Sequence, residues 1–290
     1  MEGKQENRAG TPAEKRTAPG ESQKTAKAGP AAGGRGIAIV TGASSGLGGE
    51  FVRQLAQQEG LDEIWVIARR KERLEQLARQ VKTPLRVLPL DLIESESFDT
   101  LRELLVAEQP RVQVLINAAG FGKIGSYRDI SITDCDRMMD LNCRAAVDMT
   151  LLALPYMGRG SRILEICSTT SFQPFPYLNV YAATKAFLYR FSRALRWELR
   201  GTGITVTAVC PYWIKDTEFI ATAQKTKNSS YIRHFPLASR EKSVARWALH
   251  DSRLGLPVST PGIVCSLHRI AAKVIPAEGM MGVWEGIRRL

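Results

Sequence analysis

The chain has 290 residues, 44% of them hydrophobic, with 40 lysines and arginines against 29 aspartates and glutamates, a formal net charge of +11. That length and apolar content suit one large domain with a substantial core and make a division into two very small domains forced. No window approaches the roughly 20 consecutive apolar residues of a membrane span, and the five cysteines, Cys135, Cys143, Cys167, Cys210 and Cys265, form no CxxC pair or zinc ligand set, which points to a reduced compartment.

Residues 1–35 contain no Ile, Leu, Val, Phe, Trp or Tyr. Such a segment buries too little apolar surface to offset its ordering entropy, so it is expected to be a disordered polar tail, with the folded unit spanning 36–290. The tail lacks the apolar region of a secretory signal, and its interspersed glutamates argue against a transit peptide, so a cytoplasmic location is expected. It holds seven basic and four acidic residues, a net +3, which leaves +8 spread over the body without a long Lys/Arg run. That distribution favours a solvated basic surface, or one suited to an anionic phosphorylated cofactor, over a nucleic-acid partner.

From Gly36 onward, short apolar runs alternate with longer amphipathic segments, the pattern of βα units around a parallel sheet. Ile37 to Thr41 reads as the first strand, and a helix from about Gly46 to Gln58 carries Phe51, Val52, Leu55 and Ala56 at helical spacing. A strand at Ile64 to Ala68, a helix at Lys71 to Gln80, a strand at Arg86 to Leu90 and a helix from about Glu96 to Glu108 follow. Val112 to Ile116 is the next strand, then a long helix from Asp134 towards Leu154, the strand Arg162 to Cys167, a helix from about Val180 to Arg200 and the strand Ile204 to Val209. Beyond it the chain turns irregular and aromatic through Phe235. The expected fold class is α/β, a Rossmann-type doubly wound parallel sheet with helices on both faces, in a single domain.

The first strand runs into Thr41-Gly42-Ala43-Ser44-Ser45-Gly46-Leu47-Gly48, which puts three glycines at the turn opening the first helix. Backbone N–H groups at a helix N-terminus bind phosphate, and glycine lets the chain approach it closely. The spacing departs from the general GxGxxG fingerprint, and tight turns often need glycine, yet the position between strand and helix favours a dinucleotide. The second strand ends in Ala68-Arg69-Arg70-Lys71 rather than in the carboxylate that would hold a ribose 2′-hydroxyl. Arg69 can pair with a 2′-phosphate, so NADP(H) is favoured over NAD(H), the alternative being that these bases start a helix and face water.

Tyr181 and Lys185 lie four residues apart on one helix face. Lowering a phenol by two to three pH units from its usual value of about 10 needs roughly 3 to 4 kcal/mol. One charge at about 4 Å and an effective dielectric of 20 supplies about 4 kcal/mol, so a single lysine suffices in magnitude. Thirteen residues before Tyr181, Ser168 ends an apolar strand at the carboxyl edge, where its hydroxyl can donate to a carbonyl oxygen that gains charge. Thr169, Thr170 and Ser171 offer the alternative of a hydroxyl-rich loop that satisfies its own backbone.

Taken together, the turn Thr41 to Gly48, Asp91-Leu92, Asn117-Ala118-Ala119-Gly120, Asn142, Ser168 and the Tyr181/Lys185 pair resemble the short-chain dehydrogenase/reductase family over about Gly36 to Thr217. The resemblance implies a cofactor cradle of Gly42, Ser44, Ser45, Gly46, Leu47, Gly48, Arg69, Asp91, Asn117, Ala118, Gly120, Tyr181, Lys185 and Thr217, with Asp91 at the adenine and Asn117 steadying the central strand. It implies catalytic roles for Asn142, Ser168, Tyr181 and Lys185, in which hydride passes from the nicotinamide to a carbonyl carbon, Ser168 and Tyr181 bond the oxygen, Tyr181 gives its proton, and Asn142 holds a water in a relay to Lys185. Two departures are Ala118, where many members have a second asparagine, and Pro211-Tyr212-Trp213, where many carry Pro-Gly, which puts the loop before Thr217 in question.

The substrate loop is expected at about 211–240, where Tyr212, Trp213, Phe219, Tyr231 and Phe235 suit a bulky hydrophobic ketone such as a hydroxysteroid or fatty acyl ketone, or equally a packed core. The segment at about 262–290 is amphipathic and suits an ordinary packed helix, a cover for the site, a dimer contact or a peripheral membrane contact. His234, His250 and His268 lie outside the matched motifs, and no metal site is expected. A homo-oligomer is implied by the family and by the apolar helix carrying Phe187, Phe191 and Leu195, residues that suit burial against the sheet equally well. The rival readings are a non-catalytic NADPH-binding regulator and a membrane-peripheral lipid reductase.

Overall fold

The computed structural model describes residues 34–57 and 60–289, so that all but the last two residues of the expected polar tail lie outside it. The chain runs through β1 (Gly36–Thr41), α1 (Gly46–Leu55), β2 (Glu63–Ile67), α2 (Lys71–Ala78), β3 (Leu85–Leu88), α3 (Ser95–Glu108), β4 (Arg111–Asn117), α4 (Ile132–Met139), α5 (Ala145–Ala153), β5 (Arg162–Ile166), α6 (Asn179–Glu198) and β6 (Thr205–Val209). Beyond β6 lie β7 (Ile214–Lys215), α7 (Glu218–Ala223), β8 (Ser239–Arg240), α8 (Glu241–Arg253), β9 (Val258–Ser259), α9 (Ile263–Val274) and α10 (Ala277–Ile287). Seven strands form one parallel sheet in the order β3-β2-β1-β4-β5-β6-β9.

Strand alternation divides the core between the two faces of this sheet. Ile37 and Ile39 of β1 pack with Trp65, Phe98, Leu101, Met149 and Leu195, under α3, α5 and α6. Ala38 and Val40 face the opposite way, onto Phe51, Val52 and Leu55 of α1, Leu74 and Leu77 of α2, and Ala245, Ala248 and Leu249 of α8. The strand order reverses between β1 and β4, the switch point at whose carboxyl ends open α/β sheets bind ligands.

Two expectations need correction. The long helix read from Asp134 towards Leu154 is interrupted by a π-helical turn at Asp140–Arg144 between α4 and α5, and such single-turn bulges are frequent at functional sites. The stretch after β6 is not irregular throughout, since β7 and β8 pair and α7 forms between them. Further on, α8 completes the second face of the sheet and β9 its edge.

Candidate functional site

The turn after β1 is built for close approach. Gly42 adopts φ +68, and a Cβ there would meet the Ala118 carbonyl oxygen and the Ala119 nitrogen, each at 2.8 Å. A Cβ at Gly48 would fall 2.3 Å from the Gly42 oxygen. Neither position tolerates a side chain without moving backbone. Thr41 Oγ1 accepts from the N–H groups of Ala118 and Ala119, both at 3.0 Å, and so ties the glycine turn to the end of β4. Ser45, the N-cap of α1, makes no side-chain cap bond, which leaves the first-turn N–H groups to an anion.

The Ser44 and Ser45 hydroxyls instead face Arg70. Its Nε and Nη2 donate to Ser44 Oγ at 3.2 and 3.1 Å, and Nη2 donates to Ser45 Oγ at 2.8 Å. Glu218, the first residue of α7, pairs with Arg70 at 2.7 Å and with Arg73 at 2.5 Å. The bonds from Arg70 and then Arg73 hold its carboxyl down at about 2. Arg69, the base favoured from the sequence, lines the cleft but is largely exposed, with Nη1 3.7 Å from Asp91 Oδ2. Arg70 was missed because two adjacent arginines at a strand end differ only in which way each faces.

A cleft of about 340 Å³ runs along the carboxyl ends of the strands. It brings together Gly42, Ser44, Ser45, Gly46, Leu47, Gly48, Arg69, Asp91, Ala118, Gly120, Ser168, Tyr181, Lys185 and Thr217. It does not bring in Asn117 or Asn142. The Asn117 amide donates to the Ala146 carbonyl at 3.2 Å, to Thr150 Oγ1 at 2.9 Å and to Glu165 Oε1 at 3.0 Å. Its side chain thus faces α5 and β5, in keeping with the strand-steadying role and not with cofactor contact. Asn142, buried in the π-helical turn, donates to the Phe121 carbonyl at 2.8 Å and to Thr184 Oγ1 at 3.0 Å, and accepts from Phe121 N–H at 3.0 Å. Both amide N–H groups are thus committed, while Oδ1 accepts one bond and keeps a second lone pair beside Gly120, where Lys185 Nζ also lies.

Tyr181 and Lys185 share the buried face of α6 with Ala182, Leu188, Ser192 and Leu195. Ser168 follows β5, and its Oγ caps a 3₁₀ turn by accepting from Thr170 N–H at 3.1 Å. The lysine does not do what the sequence arithmetic assumed. Its Nζ donates to the Ile166 carbonyl at 2.6 Å and lies 6.0 Å from the centre of the Tyr181 ring. Burial pushes the phenol up, opposed by the Ser168 hydroxyl, and burial pushes the Lys185 ammonium down. In the free protein, desolvation is thus the largest influence on both groups.

Tyr212, which stands where many relatives of the motif carry glycine after Pro211, is not left-handed, and the left-handed step of this loop falls at Asp216, with φ +67. Thr217 then caps α7, its Oγ1 donating to the Ile214 carbonyl at 3.1 Å and accepting from Phe219 N–H at 3.4 Å. Of the aromatics named from the sequence, Tyr212, Trp213 and Phe219 line the cleft, joined by Phe121 and Phe175, which sequence reasoning missed. Phe235 packs on Trp213 at 4.7 Å and Tyr231 stacks on Tyr177 at 4.2 Å, so these two support the wall from behind. The carboxy-terminal helices back the same wall. His268 bonds Gln173 at 2.9 Å and packs edge-on against Phe175, and Trp284 packs on Phe175 at 4.9 Å while donating to the Pro176 carbonyl.

Comparison with known proteins agrees with this architecture. The family model described as short chain dehydrogenase matches residues 36–228. The NADP-dependent 3-hydroxy acid dehydrogenase YdfG of Escherichia coli O6:H1 is 34% identical over 186 residues, covering 63% of this chain and 74% of that protein. Among solved structures, the closed form of serine dehydrogenase complexed with NADP+ superposes with a TM-score of 0.67 at 28% identity, covering 77% of this chain and 93% of that one. The bulky-bulky ketone specific alcohol dehydrogenase of Comamonas testosteroni gives 0.65 at 25% identity, covering 85% and 93%. With the family model matched over residues 36–228 and the seven-stranded order in agreement, the chain belongs to the short-chain dehydrogenase family of oxidoreductases.

Proposed function

We propose that this protein is an NADP(H)-dependent oxidoreductase that interconverts a ketone and a secondary alcohol, with Tyr181 as the proton donor and acceptor. The observation that carries the reading is the convergence of Ser168, Tyr181 and Lys185 on the cleft that begins at the glycine turn. The cleft suits a dinucleotide, because Gly42 and Gly48 leave no room for a side chain and the start of α1 offers unpaired donors. Gly42, Ser44, Ser45, Gly46, Leu47 and Gly48 would hold the pyrophosphate, Asp91 the adenine end, Arg70 with Arg69 a 2′-phosphate, Ala118 and Gly120 the middle of the cleft, Tyr181 and Lys185 the nicotinamide ribose, and Thr217 the nicotinamide amide.

When bound, the nicotinamide supplies or takes up the hydride. Ser168 Oγ donates to the carbonyl oxygen, which gains negative charge as the bond order falls. Tyr181 Oη gives that oxygen its proton, and in the reverse direction removes it. The positive charge of Lys185 lowers the cost of the phenolate, and Asn142 acts as a positioning residue that pins Phe121 and Thr184 beside it. The preference for NADP(H) is supported by the arginines at the end of β2 and by NADP-dependent and NADP-bound relatives.

The substrate we infer is a bulky hydrophobic ketone, such as a hydroxysteroid or fatty acyl ketone. Phe121, Phe175, Tyr212, Trp213 and Phe219 line the cleft, and the similar Comamonas testosteroni enzyme is described as specific for bulky-bulky ketones. Exposed Phe187 on α6 and Leu151 on α5 favour a homo-oligomer. The test is NADPH and NADH oxidation against steroid, fatty acyl and simple ketones. Turnover with NADPH is expected, fastest on a bulky ketone. Tight NADPH binding without turnover on any of them would favour a non-catalytic regulator.

A further inference from the structure

Helix α9 is turned inside out with respect to its composition. At about 100° per residue, Ile263, Leu267, Ile270 and Val274 fall in one narrow stripe, and that stripe points away from the protein, the four side chains being 75%, 61%, 61% and 77% exposed. The inward face carries smaller or polar groups, Cys265, His268 and Ala272. An ordinary surface helix presents its large aliphatics to the core. A helix that presents them to water has a further surface to meet.

The charges say which surface. Helix α9 contains no acidic residue, and Arg269 and Lys273 stand on one flank of the stripe. A second copy of α9 packed antiparallel on this face would bring the two basic flanks to the same edge of the contact, where they repel. An anionic lipid surface accepts both features, the stripe in the acyl boundary and the basic side chains among the headgroups. We propose that α9 docks this protein on an anionic phospholipid bilayer as an interfacial helix. No helix among the described residues is long and apolar enough to cross one.

The placement has a functional consequence. His268, on the inner face of α9, packs against Phe175, and Phe175 lines the cleft. The docked helix therefore lies one side chain behind the proposed substrate wall. The docking itself is read without turnover, so it fails or stands separately from the proposed reaction.

The experiment is co-sedimentation with phosphatidylcholine vesicles, with and without 30% phosphatidylserine, at low and high salt. Wild type is expected to pellet with the mixed vesicles and to be released by salt. Leu267→Glu/Ile270→Glu changes only exposed side chains and is expected to lower the partition coefficient at least tenfold. At about 1 kcal/mol per basic residue near an anionic surface, Arg269→Ala/Lys273→Ala should lower it about thirtyfold. Unchanged NADPH binding by both variants certifies their fold. The proposal is overturned if wild type stays in the supernatant, if it binds phosphatidylcholine alone equally well, or if the double glutamate variant still pellets. Sedimentation of wild type as a dimer that this variant dissolves, with no vesicle binding by either, would assign the face to a second copy and likewise overturn it.

Discussion

Replacing Arg70 by leucine removes the guanidinium that bonds Ser44 and Ser45 and pairs with Glu218. If that group receives a 2′-phosphate, its hydrogen bonds to the charged oxygen contribute about 1.5–3 kcal/mol. Set against this is the release of an exposed ion pair to Glu218, about 0.2–1 kcal/mol. The net loss is about 0.5–2.8 kcal/mol, or roughly a two- to hundredfold rise in Kd for NADPH. NADH carries no 2′-phosphate, and its Kd should stay within about twofold. Calorimetric titration of both cofactors into wild type, Arg70→Leu and Arg69→Leu measures the difference. Arg69 is more exposed and stands 3.7 Å from Asp91, so its replacement should cost less than that of Arg70. Equal losses for NADPH and NADH, or a larger effect at Arg69, would refute the assignment of the phosphate to Arg70.

Two further outcomes follow from the geometry. Burial holds the Glu165 carboxyl up at about 7, against an ordinary value of 4.5. The folded chain therefore keeps a proton that the unfolded chain releases, and stability is full below about pH 4.5 and falls as pH rises through 7. Glu165→Gln removes this dependence, so the stability of wild type relative to the variant should drop by about 2 to 3 kcal/mol between pH 5 and pH 8.5 in urea denaturation. A difference that does not change with pH would contradict it. A Cβ at position 48 would lie 2.3 Å from the Gly42 oxygen, and because backbone must yield, Gly48→Ala should cost about 1–3 kcal/mol in stability and weaken NADPH binding. Unchanged melting and unchanged cofactor affinity would show that the turn is looser than described.

Much of the fold was legible because the strands that make it are short apolar runs buried on both sides, such as Ile37 to Val40 and Val114 to Ile116. The glycine turn was legible because a Cβ at position 42 would meet the backbone of Ala118 and Ala119 at 2.8 Å, and one at position 48 the Gly42 oxygen, so both positions require glycine. Helix α8 was legible in principle, since Val244, Ala245, Ala248, Leu249 and Ser252 have helical spacing and are buried. The two residues of β9 are too few to carry any period. The π-helical turn at Asn142 escaped because one added residue per turn leaves no mark on hydropathy. Whether Arg69 or Arg70 meets the serines depends on the backbone direction at the end of β2, and adjacent identical residues do not reveal it. Spacing placed Lys185 on the Tyr181 face, but not its bond to the Ile166 carbonyl, nor the burial that pushes the phenol up. Composition likewise showed that α9 is amphipathic without showing that its apolar side faces out.

The central claim is that the Tyr181 hydroxyl moves the proton. Its most direct test is Tyr181→Phe, which removes one oxygen and leaves the ring contact with Phe219 in place. On the best ketone of the panel, kcat should fall by about 10² to 10⁴, while Kd for NADPH stays within about threefold. Activity of Tyr181→Phe close to that of wild type, with NADPH still bound, would contradict the account.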